Sequence, residues 1–160
     1  MHKVFITRLL IILCMQDIEK EVKSSQHLLY VSLKYTKTCD VILNLMNRWE
    51  SIINLSMNLI LQKLYKKKVI KEIPVAPKMK VDIISKAFRK RKEVMDALIL
   101  FTFFRKVPSY SLIREHEFRK NVALVITNNV DGESTRVDME KLKVWEAVIE
   151  NFIKFIRSYA

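Results

Sequence analysis

Ile42, Leu45, Met46, Trp49, Ile53, Met57, Ile60 and Leu64 recur at steps of three and four residues. That spacing places one face of an α-helix against a core. It predicts a helix over residues 39–67, with the hydroxyls of Thr36 and Thr38 available to cap its start. Ile18, Val22, Leu28 or Leu29, and Val31 mark an earlier helix over about 17–34. The segment Ile73-Pro74-Val75-Ala76-Pro77 ends the second helix, because proline lacks an amide proton and restricts the residue before it. Ile84, Phe88, Val94, Met95, Leu98 and the run Leu100-Phe101-Thr102-Phe103-Phe104 predict a third helix over about 80–105, with Pro108 at its exit. Leu142, Trp145, Ile149, Phe152, Ile156 and Tyr159 form the stripe of a last helix, for which Asp138 is the N-cap.

Between these helices the period changes. Val122-Ala123-Leu124-Val125-Ile126-Thr127 is short, rich in β-branched residues and closed by Asn128-Asn129. Ser134-Thr135-Arg136-Val137 follows Asp131-Gly132, a pair that favours a tight turn. A small β-hairpin before the last helix is expected. The chain has one glycine and three prolines in 160 residues, too few for a large sheet with tight turns. The expected fold is mainly α: a single-domain bundle of about four helices carrying that hairpin. No linker or repeat divides it, so residues 15–160 read as one domain. Residues 1–14 read as an N-terminal extension of doubtful standing. Its apolar stretch is interrupted by Arg8 and is shorter than the roughly 20 residues that span a bilayer. The expectation is therefore a cytoplasmic protein with no membrane partner.

Charge then sets the functional question. The net charge is +12, and most of it lies between residues 63 and 92. There, twelve basic residues face two acids, Glu72 and Asp82, leaving ten net positive charges. Antiparallel packing of the second and third helices would bring these residues to one end of the bundle. Such a cluster attracts phosphate backbones through counterion release, largely without regard to sequence. The candidate contacts are Lys63, Lys66, Lys67, Lys68, Lys71, Lys86, Arg89, Lys90, Arg91 and Lys92. Tyr65 and Phe88 interleave with them, either to stack on unpaired bases or to pack in the core.

The remaining chemistry is sparse. Cys14 and Cys39 have no CxxC or histidine partner and read as small apolar residues of a reduced protein. No phosphate-binding glycine loop occurs, no metal spacing is present, and no cofactor is implied. Of the three histidines, His2 lies in the extension and His27 on a helix. His116 alone sits among cations, in Arg114-Glu115-His116-Glu117-Phe118-Arg119-Lys120. That patch makes Arg114 and His116 the candidate catalytic pair for a phosphodiester, against a plain polar connection into the hairpin.

The pairing of a long amphipathic helix over residues 39–67 with a preceding helix over 17–34 resembles the archaeal and bacterial HEPN-like helical bundles, over about residues 17–105. The low glycine content and the Lys/Ile-rich style look like a thermophilic archaeal protein. The resemblance implies dimerisation and, in nuclease members, an Arg, a polar residue, about four more residues and a His. Here Arg114 stands two residues before His116 and Arg105 eleven before it, so neither spacing matches. The leading expectation is a non-enzymatic helical protein that binds nucleic acid, RNA in preference to DNA, as a ribonucleoprotein accessory factor. The alternatives are a HEPN-like ribonuclease toxin or its antitoxin-type partner, and a homodimeric interaction module that buries the aromatic run around Phe101, Phe103 and Phe104.

Overall fold

The computed structural model describes residues 2–160, with side chains from Val4 onward. Its first helix, α1, runs from the stretch His2–His27 through a π-helical turn, Leu28–Ser32, into Leu33–Thr36. Lys37 ends it in the left-handed region, at φ +50°. Four more helices follow: α2 (Cys39–Lys66), α3 (Pro77–Ala87), α4 (Lys92–Lys106) and, after the sheet, α5 (Met139–Tyr159). The sheet has three antiparallel strands in the order β1 (Ser111–Glu115), β2 (Ala123–Thr127), β3 (Ser134–Val137).

Among the described residues the bundle therefore has five helices, and a three-stranded sheet stands where a hairpin was expected. The expected third helix is two helices, broken at Phe88-Arg89-Lys90-Arg91. No proline or glycine causes the break. Phe88 turns inward onto aromatic rings while the cations around it stay in water. The added strand is β1, an edge strand whose residues are mostly exposed, so it has no alternating apolar face to betray it. Its register on β2 runs from Ser111 opposite Thr127 to Glu115 opposite Ala123. Beyond β2, the turn into β3 places Gly132 at φ +75°, the conformation that Asp-Gly favours.

α2 is the central element. Its residues Ile42, Leu45, Trp49, Ile53, Met57 and Ile60 are all buried in one continuous core. Phe101 and Phe104 of α4, Trp145 and Phe152 of α5, and Leu124 and Ile126 of β2 complete that core. Phe103 packs against Trp145 and Phe104, so the aromatic run is largely used inside this one chain. Asp138 caps α5 as expected, its carboxylate accepting from the Lys141 amide at 2.9 Å. Among the described residues, no helix is long and apolar enough to cross a membrane.

Candidate nucleic-acid interface

The two halves of the basic segment leave the bundle on different elements, and an aromatic cluster brings them back together. Phe88, from the α3–α4 break, meets Phe155 and Tyr159 of α5 edge-on, with both ring centroids 5.5 Å away. Phe155 and Tyr159 stack on each other at the same distance. Each contact joins a large apolar surface in a favoured ring geometry. The triangle fixes the α3–α4 break to the end of α5.

Cations from both arms rest on it. The Lys63 ammonium lies 4.8 Å from the Tyr159 ring centroid and that of Lys67 lies 5.8 Å away. The Arg91 guanidinium sits 5.6 Å from the Phe155 ring. Ring quadrupoles attract cations without neutralising them, so the positive charge still reaches solvent. Lys63 also donates to the Tyr159 carbonyl. Burial, followed by the neighbouring Lys67 and Lys66, pushes its ammonium pKa down. Burial alone pushes the Tyr159 phenol up. Both shifts record a partly dry platform, and that of Lys63 also records its like-charged neighbours.

Around this platform Lys66, Lys67, Lys68, Lys71, Lys86, Arg89, Lys90 and Lys92 are exposed. Of the ten residues singled out by the sequence, only Arg91 has an ion-pair partner among the described residues, Glu93 at 3.5 Å. A groove of about 420 Å³ continues the surface, lined by Arg91, Lys92, Glu93, Asp96, Lys154 and Phe155 among others. Lys154 was not in the expected set. It lies on α5, far from the basic segment in sequence, and only the packing of Phe155 on Phe88 brings it close.

Lys68 carries a further sign. The α2 helix ends in a Schellman turn, with the Val69 amide bonded to the Leu64 carbonyl and the Lys68 amide to that of Tyr65, both at 2.9 Å. Lys68 occupies the left-handed position of this turn, at φ +58°. Glycine is the usual residue there, and a lysine costs backbone strain. The same backbone recurs at Lys37, His116 and Phe118, so it is the exposure of the Lys68 ammonium beside Lys66 and Lys67 that bears on this surface. Tyr65, in the same turn, is exposed, whereas Phe88 is taken up by the ring cluster.

The other candidate pair has a different setting. Arg114 binds Asp40 at 2.7 Å and Glu117 at 3.2 Å. Glu117 in turn accepts from the Cys39 amide at 2.9 Å and so caps the first turn of α2. That amide bond, followed by Arg114, holds the Glu117 carboxyl below its usual pKa range. The hydrogen bonds that Arg114 donates to Asp40 and Glu117 raise the pKa of its guanidinium. His116 is exposed in the loop after β1, at φ +51°. The structure thus engages Arg114 in fastening the sheet to α2, and it leaves His116 without a side-chain partner among the described residues. The side chain of His2 lies outside the described residues.

Among the described residues no group of three or more His, Cys, Asp or Glu is placed to hold a metal ion. Cys14 bonds to the Leu55 carbonyl and Cys39 to that of Ala123, and burial pushes both thiols up. Comparison of the chain with protein-family models, with curated proteins and with solved structures finds no match.

Proposed function

We propose that this protein binds nucleic acid, RNA in preference to DNA, through the end of the bundle built from the close of α2, the α3–α4 break and the close of α5. It acts as a non-enzymatic helical mount that holds phosphates, in the manner of a ribonucleoprotein accessory factor. One observation carries the reading: an aromatic triangle draws cations from two separate chain segments onto one surface, and few carboxylates are supplied to neutralise them. A helix C-terminus already favours positive charge, but that preference is met by one or two cations and does not call for nine more. The exposed ring of Tyr65 beside Lys66 offers a stacking surface to an unpaired base, which single-stranded RNA presents and duplex DNA does not. No base-reading geometry is present, so affinity is expected to vary little with sequence.

The test is binding to single-stranded RNA and to duplex DNA across a salt series. The logarithm of affinity should fall linearly with the logarithm of salt, more strongly bound RNA being expected throughout. The combined change K66E/K67E/K68E should weaken RNA binding on the order of a hundredfold at low salt and flatten the salt slope. Unchanged affinity in that variant would remove this surface from the function.

A further inference from the structure

The first half of α1 carries a second surface that nucleic-acid binding leaves unused. Thr7, Ile11, Met15 and Ile18 follow each other at steps of four and three, and Ile11, Met15 and Ile18 pack on the core. The opposite side of the same turns holds Phe5, Leu9 and Ile12 in one row and Ile6, Leu10 and Leu13 in the next. These six side chains are 47–71% exposed, and none of the six is polar. A patch of large apolar residues concentrated in this way marks a binding surface.

Its neighbour identifies the occupant. α1 and α2 run antiparallel, with Cys14 bonded to the Leu55 carbonyl at 3.6 Å and Glu21 paired with Arg48 at 3.0 Å. Ten residues back from Cys14 and eleven on from Leu55 are each about 15 Å of helix, which sets Val4 and Phe5 level with Lys66. Ala160 closes the relation from the other side. It lines an apolar groove with Ile11, Ile12 and Met15 and follows Tyr159, on whose carbonyl Lys63 rests. The apolar face therefore adjoins the basic end. Exposed Arg8 flanks it, exposed Lys20 and Lys23 continue its line along the helix, and the nearby acids are Asp17 and Glu19, of which Glu19 is paired with Arg157.

We infer that this face of α1 and the basic end beside it dock together onto the surface of an anionic phospholipid bilayer. The apolar row enters the boundary between headgroups and acyl chains, and the lysines meet the lipid phosphates. The span from Phe5 to Leu13 is about 13 Å of helix against a hydrocarbon core of about 30 Å, so the segment lies in the interface and does not cross it. A second copy of the chain fits the surface less well. Pairing two such faces brings two strongly positive ends within the length of one short helical segment. The inference does not depend on the nucleic-acid reading, because phosphate binding by the lysines makes no use of Leu9 or Leu13.

The experiment is co-sedimentation of the full chain with vesicles of phosphatidylcholine alone and of phosphatidylcholine mixed with phosphatidylglycerol, alongside RNA binding. The protein should sediment with the anionic vesicles and remain in solution with the neutral ones. Leu9→Gln together with Leu13→Gln should lower vesicle affinity on the order of a hundredfold and leave RNA affinity unchanged. Phe5→Gln, at the most exposed position of the face, provides an independent variant. Failure to bind anionic vesicles overturns the proposal, as does equal binding to neutral ones or anionic binding that survives both sets of changes. A dimer in sedimentation velocity that Leu9→Gln and Leu13→Gln dissociate, without any vesicle binding, assigns the face to a second copy and overturns it equally.

Discussion

Both ends of α2 carry charged runs, mixed in sign at the first and strongly basic at the second, and they put them to opposite uses. The helix is 28 residues long, so its ends lie about 40 Å apart. At the first end Arg114, Asp40 and Glu117 form a closed set, and the carboxylate of Glu117 also satisfies a helix amide. At the second end Lys63, Lys67 and Arg91 lie on the faces of Tyr159 and Phe155, and among the described residues Glu93 is the one acid paired with any of the three. Carboxylates within about 3 Å turn a charged run into a joint of the fold. Rings leave the field standing, and the same type of run becomes an attractive surface. In the sequence both segments are simply dense in charge. The supply of acids from elsewhere in the chain decides between them.

This difference is open to attack at the ring triangle. Phe155 is buried against Phe88 and Tyr159, so Phe155→Ala should cost about 3 kcal/mol of stability in urea unfolding. It should also weaken RNA binding, because Arg91 loses the ring beneath it and the α3–α4 break is released from α5. Lost stability with RNA affinity intact would mean that the rings pack the core and do not position the cations.

A smaller pair of changes separates strain from function. Lys68 and His116 both hold left-handed backbone, at φ +58° and +51°. That conformation costs a residue with a Cβ about 1–2 kcal/mol, of which the extra freedom of unfolded glycine takes back about 0.5–1. Lys68→Gly and His116→Gly should therefore each raise stability by roughly 0.5–1 kcal/mol in chemical denaturation. Their effects on RNA should differ. Lys68→Gly should lower affinity severalfold at low salt, whereas His116→Gly should leave it unchanged. Equal effects of the two substitutions would erase the distinction between the ends.

The fold was legible wherever one face of an element is buried. The stripe from Ile42 to Leu64 announced α2 nearly to the residue, and the Asp138 cap fixed the start of α5. β1 escaped because an edge strand with both faces near water leaves no period to read. The α3–α4 break escaped because Phe88 belongs to the apolar stripe of either helix, and its rotation inward depends on Phe155 and Tyr159 from the far end of the chain. α1 begins well before the expected position 17 and continues through a π turn, since residues 4–13, apart from Thr7 and Arg8, are apolar around most of the helix and carry no one-sided signal. The location of the basic cluster was likewise visible in the run itself. Its convergence with Lys154, and the engagement of Arg114 by Asp40, rest on long-range contacts that no local pattern encodes.

The smallest effect tests the rule on one cation within the basic end. Arg157 lies two residues before Tyr159, yet it donates to both oxygens of Glu19, at 2.7 and 2.9 Å. The hydrogen bond from Arg157 is the largest influence on the Glu19 carboxyl and lowers its pKa below the ordinary 4.5. A depressed carboxyl stabilises the fold fully above its unfolded value and loses that contribution as pH falls through its folded one. Stability in the wild type should therefore decline from about pH 4.5 downward by an amount that Glu19→Gln removes, roughly 0.5 kcal/mol for a pair this exposed. At neutral pH the same substitution frees the guanidinium beside the basic end. If unpaired cations make the surface, Glu19→Gln should raise RNA affinity about twofold at low salt while slightly lowering stability. An affinity that does not rise would show that Arg157 faces away from the bound phosphates and that the surface ends at Tyr159.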